Sequence, residues 1–598
     1  MDSVVHPVEQ HIYSWMIANT SRQPNDTLDL TLLTSEDLQQ MWLQRLDLPL
    51  QHVSLGFIAL LALENGVRSS GKLLRSMKLL PKKCNFNIYN VVCGILKTTL
   101  ALGLLLLLVP VVLPFVCIFW LASCFVSLVY RVNFGSSVTK ASGMDSVWGT
   151  EYPNSRPFIT VTLLLSGAPD LAKITQHIQT KILDVKDSNG DHKHKKFRQM
   201  FAQICGYYAW RNVNDFNVEN HIRVVNLRSL YSGDSRGTYT LGDIPDIREN
   251  EFSPTVARSS VDDELIHRYI SEEGTSPLSP DRPPWEIILL LRGDRRYTVL
   301  VRLHHAIGDG VSLMRLWMEV MVEPLLSLPP VGSHSTSPLV RGTMMLWSAM
   351  VLPLGLLQLV ANFDNNVLHG PPLSGTKIMT ASAGLPLAVL KQVKVAACAT
   401  VNDVLMSCLA AALTKHFTRR LQEVPQVTVA VPVSFHDFKE APALINRFSV
   451  ATIKLPTLHT FTPTARLAAT KRVLDEMKRD PALGSVMWLV RMVSGVLPAS
   501  LAQRIISGAG VTAAASNVPG PQQEISIWGH KVEDMLFWVP NRAPVGVSVS
   551  FASYMGEVKV GLNVDVALIH SRQEAQMLLR DMEDELQLLY RQLVVARK

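Results

Sequence analysis

From about residue 143 onwards, short apolar runs alternate with segments whose apolar residues recur every three or four positions. The first pattern is typical of buried strands and the second of helices packed on a sheet. The predicted strands are residues 158–165, 222–227, 286–291, 297–304, 427–432 and 447–455, and residues 545–554 and 557–566 form a predicted hairpin. The predicted helices are residues 171–183, 197–208, 311–321, 385–397, 401–417 and 573–595. This alternation predicts an α/β protein whose sheets and helices fall into two halves of similar size.

A different pattern precedes these elements. Residues 98–130 carry no charge, and the run exceeds the length of about 20 residues that a helix needs to cross a membrane. Pro110 and Pro114 divide the run, so it forms either one kinked span or a hairpin with the prolines at its tip, and of the two we expect the hairpin. The apolar run at residues 53–63 is too short to span, and with the basic residues after it predicts a helix lying in the membrane interface. These basic residues are Arg68, Lys72, Arg75, Lys78, Lys82 and Lys83.

Changes of composition predict five segments along the chain. They are a polar and amphipathic extension at residues 1–90, a hydrophobic membrane segment at residues 91–140, a first α/β half at residues 141–330, an apolar linker at residues 331–366 and a second α/β half at residues 367–598. Within the linker, residues 343–361 carry no charge. They form either a membrane contact or a buried helix between the halves.

Composition narrows the classes of function. The 598 residues are enough for two or three hydrophobic cores. Of these residues 47% are hydrophobic, and the mean hydropathy of +0.18 favours a membrane-associated protein. The net charge of +7 is modest for this length, and no basic groove interleaved with aromatic residues is evident, so we expect no nucleic-acid partner. The seven cysteines include no Cys-x-x-Cys pair, which favours reduced thiols over a disulfide framework or a metal centre.

The strongest chemical signal is the sequence HHAIGDG at residues 304–310. It follows a predicted strand and precedes a predicted helix, which places an imidazole at a strand end where side chains can face a cleft. A neutral imidazole can take a proton from a hydroxyl group, and a nearby carboxylate fixes the ring orientation or the local backbone. The alternative is that both histidines are buried strand residues whose hydrogen bonds are made within a hydrophobic core. No Gly-x-Ser-x-Gly elbow, phosphate-binding glycine loop or dinucleotide fingerprint is present, so general-base catalysis with both substrates bound together is the chemistry that remains.

Three further motifs accompany this one. They are PLSPDRPPWE at residues 277–286, TVNDVL at residues 400–405 and SNVPGP at residues 516–521. With four motifs in the family's order, the chain resembles the bifunctional wax ester synthase/diacylglycerol acyltransferase family from about residue 143 to the C-terminus. Pro284 stands where the family usually has leucine, so the resemblance does not define the shape of the pocket there. The segment before about residue 140 lies outside the resemblance.

The resemblance implies the fold of the CoA-dependent acyltransferases. This fold has two chloramphenicol-acetyltransferase-like subdomains with a tunnel between them and the histidine near its middle, here with an N-terminal membrane-associated extension. His305 is then the general base, and His304 supports the site. Asp309 either holds the turn by pairing with a basic side chain or acts electrostatically, and we favour the structural role. Gly308 and Gly310 permit the tight turn.

The other motifs supply candidates at the margins of the site. Asn402 and Asp403 either cap a helix after Thr400 or, as the resemblance implies, shape the site from the second half. We expect no metal and no cofactor, with acyl-CoA as a co-substrate. The candidates for the lining of the tunnel are Trp285, Ser516, Asn517, Pro519 and Gly520.

The resemblance therefore implies a membrane-associated O-acyltransferase that moves a long acyl chain from acyl-CoA to a fatty alcohol or to diacylglycerol. Its partners would be these substrates and a lipid membrane, at the endoplasmic reticulum or lipid droplets, with the catalytic region on the cytosolic side. Two alternatives stay open. One is a catalytically silent scaffold that uses the tunnel only to bind lipid. The other is a condensation-type acyltransferase, which shares the His-His-x-x-x-Asp-Gly pattern.

Overall fold

The computed structural model describes residues 85–149, 152, 154–227, 230, 238–240, 260–292, 295–326, 342–343, 364–438, 440–480, 482–506 and 510–596. The predicted interfacial helix at residues 53–63 and the basic residues after it lie outside this part of the chain. So do most of the predicted linker at residues 331–366 and most of its uncharged segment at residues 343–361.

Helices and strands alternate along the described part of the chain. The helices are α1 (Asn85–Phe134), α2 (Gly143–Ser146), α3 (Leu171–Ile178), α4 (Ser260–Glu273), α5 (Gly310–Leu316), α6 (Leu387–Ala396), α7 (Val401–Arg419), α8 (Pro463–Lys478), α9 (Ala482–Val496), α10 (Ala499–Ile506) and α11 (Arg572–Tyr590). The strands are β1 (Val138–Lys140), β2 (Phe158–Ser166), β3 (Gln199–Ile204), β4 (Tyr207–Asn212), β5 (Ile222–Asn226), β6 (Thr238–Thr240), β7 (Trp285–Leu291), β8 (Arg296–His304), β9 (Lys377–Ala381), β10 (Leu385–Pro386), β11 (Gln426–Ser434), β12 (Phe448–Pro456), β13 (Ala513–Pro519), β14 (Ser526–Ile527), β15 (His530–Trp538), β16 (Val547–Tyr554) and β17 (Glu557–Asp565).

Two seven-stranded sheets form the framework. The first has the order β14-β15-β2-β8-β7-β5-β6, and the second has the order β10-β17-β16-β13-β11-β12, with β9 also paired to β17. The prediction of an α/β protein is confirmed, as are the predicted strands, the hairpin around Met555 and Gly556, and the terminal helix. Helices α7 and α11 pack with the second sheet around its own hydrophobic core, and the first sheet has another.

The first sheet is completed by strands from the C-terminal part of the chain. β15 lies antiparallel to β2, with Met535 opposite Leu163 and Trp538 opposite Thr160. Trp538 is 1% exposed, and its indole Nε1 donates to the main-chain oxygen of Thr380 in β9 at 3.1 Å. The two halves predicted from the sequence, before residue 331 and after residue 366, therefore do not correspond to one sheet each, because β14 and β15 of the second half belong to the first sheet. Hydrophobic periodicity identifies a strand but not the strand beside it.

The predicted helix at residues 197–208 is wrong. β3 and β4 form an antiparallel hairpin there, and Cys205 and Gly206 in its turn have positive φ angles of 47° and 78°. A two-residue turn with both φ angles positive matches the twist of the flanking strands. Tyr207 and Ala209 are buried two positions apart, as a strand requires. The apolar residues of this segment also recur at helical spacing, so the two-residue period of the strands was not recognised in the sequence.

The segment predicted as a membrane hairpin is one continuous helix, α1, so that prediction is also wrong. Pro110 and Pro114 lie inside the helix. Each proline removes one backbone hydrogen bond, whereas the tip of a hairpin would leave several backbone groups without partners in hydrocarbon. By length and composition alone, Val112–Phe134 is sufficient to cross a membrane.

Replacing Trp538 by alanine removes the side chain that joins the first sheet to β9. We expect the free energy of unfolding to fall by about 3–5 kcal/mol, as for other truncated buried aromatic residues. Trp538→Phe keeps much of the apolar contact and loses the hydrogen bond to Thr380, so its cost should be about 1–2 kcal/mol. Denaturant unfolding of the purified protein, followed by circular dichroism, measures both. Equal losses for the two variants would contradict this account.

Candidate active site

His305 lies immediately after the end of β8. This strand runs between β2 and β7, so its final residues are held on both sides. The backbone N–H of His305 donates to the oxygen of Pro157 at 2.8 Å, which extends the pairing with the β2 segment by one residue. The residue retains 8% of its surface exposed. The pairing at the end of the strand thus fixes the backbone from which the imidazole projects.

Two aromatic rings and one amide surround this imidazole. Trp148 stacks on it with 3.7 Å between ring centroids and 14° between the planes, and the Phe448 ring lies 5.9 Å away. The Asn446 Oδ1 is 3.3 Å from His305 Nδ1. The Asn446 Nδ2 donates to Asp145 Oδ1 and to the main-chain oxygen of His305, both at 3.0 Å, so the amide oxygen faces the imidazole. Nδ1 therefore carries the proton, and Nε2 keeps its lone pair.

Nε2 is the atom of His305 that is available for chemistry, because no described residue hydrogen-bonds to it. Burial lowers the pKa of His305 to about 4, and the negative charge of Asp309 and the Asn446 hydrogen bond offset this only in part. The imidazole is therefore neutral at pH 7. This is the state that a general base requires.

Asp309 begins α5 and links the two halves. Its carboxylate accepts a hydrogen bond from the backbone N–H of Ser312, at the helix start, at 2.8 Å. It also accepts hydrogen bonds from His436 Nε2 and from the backbone N–H of Arg447, both at 2.8 Å, and these residues belong to the β11–β12 segment. These hydrogen bonds hold the pKa of Asp309 below its usual range although burial acts to raise it. Among the described contacts, Asp309 has no hydrogen bond to His305.

A buried ion pair stabilises the backbone of the turn that follows His305. The Lys196 Nζ lies 2.9 Å from Asp145 Oδ2 and donates to the main-chain oxygens of Ala306 and Ile307 at 3.1 and 3.2 Å. Burial lowers the pKa of Lys196, and the Asp145 charge acts against this shift. Because Asp145 also accepts from Asn446, one polar network connects the turn backbone to His305 Nδ1.

The remaining residues of the motif have structural contacts. His304 is buried on the other side of the strand, where its ring packs near Phe158 and Phe201, and its Nδ1 accepts from the backbone N–H of Ala306. Gly308 and Gly310 do not have positive φ angles. A Cβ on Gly308 would lie 2.6 Å from Ser312 Oγ, and one on Gly310 would lie 3.4 Å from Val518 Cγ2. Small size therefore matters at Gly308, whereas a Cβ on Gly310 would make only an ordinary contact, and neither position needs the left-handed conformation.

Asn402 and Asp403 lie at the start of α7. Thr400 and Asp403 form a reciprocal capping box, and Asp403 also pairs with Lys478 at 3.2 Å. The Asn402 Oδ1 accepts from Asn517 Nδ2 at 3.3 Å, so these two motifs meet. Among the described contacts, neither Asn402 nor Asp403 contacts His305.

The other tunnel candidates are dispersed. Trp285 lies in the first core, where its Nε1 donates to the oxygen of Phe197 at 2.8 Å and its ring stacks on His221. Ser516 and Pro519 are in β13, paired in parallel with β16. A Cβ on Gly520 would lie 2.4 Å from the oxygen of Ser553, so only glycine fits there. β13 does approach the motif, because Val518 Cγ2 lies 3.4 Å from the place that a Cβ on Gly310 would occupy.

Sequence reasoning missed Trp148, Asn446, His436 and Lys196. Asn446 gave a weak signal, because it is an amide directly before the apolar run of β12. Trp148 gave none. Another missed residue is Arg542, whose guanidinium lies 5.6 Å from the centre of the Trp148 ring. Burial lowers its pKa to about 10, so it still brings a positive charge near the site at pH 7.

Comparisons with known proteins match two segments that contribute to this site. Residues 261–351 match the wax ester synthase/diacylglycerol acyltransferase catalytic domain, and residues 445–590 match the C-terminal domain of the same family. The first segment contains HHAIGDG, and the second contains Asn446 and SNVPGP.

Individual relatives agree with these matches. Wax ester synthase/diacylglycerol acyltransferase 6 from Arabidopsis thaliana is 24% identical over 54% of this chain and 74% of its own length. A putative diacylglycerol O-acyltransferase from Mycobacterium tuberculosis is 28% identical over 42% of this chain and 58% of its own length. The solved structure of the wax ester synthase/diacylglycerol acyltransferase from Marinobacter aquaeolei VT8 superposes with a TM-score of 0.50 at 19% identity, over 76% of this chain and 100% of that one. This likeness shows the fold, and the two matched segments make the chain similar to the wax ester synthase/diacylglycerol acyltransferase family in its catalytic and C-terminal domains.

Proposed function

We propose that this protein transfers a long acyl chain from acyl-CoA to the hydroxyl of a fatty alcohol, giving a wax ester, or of diacylglycerol, giving triacylglycerol. The observation that supports this proposal is the neutral, buried His305, whose Nδ1 is held by Asn446 and whose Nε2 has no described partner. The names of the relatives support the classes of acceptor.

In this proposal His305 is the catalytic base. Nε2 takes the proton of the acceptor hydroxyl while the hydroxyl oxygen attacks the thioester carbonyl carbon. The carbon–oxygen bond forms, and the carbonyl oxygen becomes negatively charged. When this intermediate collapses, the carbon–sulfur bond breaks, and the departing CoA sulfur receives the proton from Nε2. The products are an ester and the CoA thiol, and His305 is neutral again.

Asn446 and Asp309 have separate roles in this scheme. The Asn446 oxygen accepts the Nδ1 proton before and after protonation of Nε2, so it orients the ring and stabilises the imidazolium. Asp309 acts from a distance, by holding the turn against the second half and by the attraction of its charge for the imidazolium. Both are positioning residues.

A membrane location fits the substrates. Long-chain alcohols and diacylglycerol are dissolved in bilayers, and α1 contains a segment long and apolar enough to cross one. We place the protein at the endoplasmic reticulum or at lipid droplets, with the catalytic region on the cytosolic side. An anchored enzyme would meet its acceptor at the surface of the same membrane.

The His305→Ala variant should lose ester formation by at least about a hundredfold, because a positioned general base contributes at least this much. The measurement is conversion of labelled acyl-CoA by membranes that contain the full chain, with hexadecanol or diacylglycerol as acceptor. His459→Ala is the matched control, because this histidine is exposed and pairs only with Glu423 among the described groups. Undiminished turnover by folded His305→Ala would show that another group is the base. Absence of turnover by the wild-type chain with every acceptor would favour a lipid-binding scaffold.

The activity should persist at lower pH than an ordinary histidine allows. Only neutral His305 can accept a proton, and its pKa of about 4 keeps it neutral at higher pH. Values of kcat/KM should therefore be level from about pH 5 to 8 and fall as pH decreases through about 4, because this profile reports the free enzyme. The pH dependence of initial rates, at pH values where circular dichroism shows the native fold, measures this. An acid limb centred near 6.5, the ordinary histidine value, would contradict the buried environment of the base.

Asn446→Ala should lower kcat by about a hundredfold, the effect of a displaced catalytic group, with little change in the KM for acyl-CoA. The acid limb of the profile should also move to lower pH, because the Asn446 hydrogen bond raises the pKa of His305. Asn563→Ala is the control, since Asn563 is also buried but donates to the main-chain oxygen of Val539. Steady-state kinetics over the same pH series distinguishes the two. If Asn446→Ala and Asn563→Ala lost kcat equally and the acid limb of the pH profile did not move, Asn446 would have only a packing role.

A further inference from the structure

Helix α9 is apolar on most of its surface. Arg491 is the one charged residue in its sequence, and Trp488 is 48% exposed. Among its described residues Ser494 and Val496 are buried, Trp488 and Arg491 are exposed, and the others are half-buried. A helix that is apolar all round is normally enclosed by protein or by lipid, and an exposed apolar surface marks an interaction site.

This helix lies over both segments that enclose His305. It packs on α2, which leads to Trp148, and on β12, which begins at Phe448. The approach to α2 is close: a Cβ on Gly143 would lie 1.8 Å from the main-chain oxygen of Arg491. A displacement of α9 would therefore act directly on the two rings beside the base.

The same helix is joined to α1. The Ser123 Oγ donates to the oxygen of Gly495 at 3.3 Å, and the Lys140 Nζ donates to the same oxygen at 2.6 Å. Further along α1, the Tyr130 hydroxyl donates to the oxygen of Ile204 at 2.5 Å, and both Ser123 and Tyr130 are buried. From Ser123 onwards, one face of α1 is therefore docked on the catalytic region.

Before Ser123, α1 leaves the catalytic region. Leu113, Ile118 and Leu121 are each more than half exposed, and Trp120 lies beside them. The second half of Val112–Phe134 is thus docked on the catalytic region, so we take the membrane part of α1 to be the uncharged run from residue 98 to residue 121, which is longer than the about 20 residues that a span needs. If this part of α1 crosses the membrane, Trp120 lies at the interface, where tryptophan is enriched. Gly495 and the end of α9 then lie at the same level.

We infer that α9 lies in the interface of the phospholipid bilayer that α1 crosses and forms the entrance through which a lipid acceptor reaches His305. The proposal rests on the proposed function for the identity of the acceptor. The apolar side chains of α9 contact the acyl chains of the bilayer, and the acceptor passes from there to His305 beside the rings of Trp148 and Phe448, which pack on each other with 6.2 Å between centroids. The exposed Arg491 is placed to meet lipid phosphates, as basic residues at interfaces do.

The first test locates Trp488 without any assay of activity. The full chain is reconstituted in phosphatidylcholine vesicles with or without bromine on the acyl chains, and tryptophan fluorescence is compared between wild type and Trp488→Phe. We expect the brominated lipid to quench a component that Trp488→Phe lacks. If wild type and variant are quenched equally, Trp488 is not in lipid and the proposal is overturned. A Trp488 component that responds to protein dilution and not to bromine would assign this face to a second copy of the chain, which overturns it as well.

The second test concerns entry of the acceptor. Trp488→Glu should lower the rate with diacylglycerol in the vesicles about tenfold more than the rate with a short water-soluble alcohol, because interfacial affinity scales with buried apolar area. Leu421→Glu is the matched control, since Leu421 is 97% exposed outside this surface, and both of its rates should equal those of the wild type. An equal loss with both acceptors would overturn the proposal. Absence of turnover by the wild type with either acceptor would instead refute the proposed function, and the fluorescence result would stand independently.

Discussion

The buried carboxylate of Asp309 is the interaction on which the site depends. A charge taken out of water is costly unless donors surround it, and Asp309 obtains its donors from both halves of the protein. The carboxylate is therefore stable only when the start of α5 and the β11–β12 segment are in contact. This requirement brings Asn446, the residue before Arg447, next to His305. The position of His305 is thus coupled to the docking of the two halves.

Holding the turn and orienting the ring are accordingly tasks of different residues. Asp309 is four positions from His305 in sequence, yet it points to His436 and the Arg447 backbone. Asn446 is far away in sequence and contacts the Nδ1 of the imidazole. The hydrogen bond from a neutral amide at this position offsets the effect of burial on the imidazole pKa only in part, whereas a carboxylate would raise the pKa further. The arrangement therefore favours a base that is neutral over a wide range of pH.

What the sequence could predict was local. The strands, the terminal helix and the strand–turn–helix around HHAIGDG follow from periodicity and from the chemistry of short motifs, and the structure contains them. The pairing of β15 with β2 could not be predicted, because a strand's period carries no information about its neighbour. The hairpin at Cys205 was missed because its apolar residues also fit a helix. Trp148 was missed because its role arises only from stacking on a ring that is remote in sequence.

In the proposed reaction, the burial that lowers the pKa of His305 also bears on which nucleophile this residue would activate. Water is the competing acceptor for any acyl thioester, and a base open to solvent would promote hydrolysis. Trp148 and Phe448 cover the imidazole with apolar surface, so an acceptor must displace little water but must itself be apolar enough to enter. Exclusion of water also strengthens the electrostatic interactions within the site. In the proposed reaction, the weaker basicity of a desolvated imidazole is therefore the physical counterpart of selectivity for lipid hydroxyls over water.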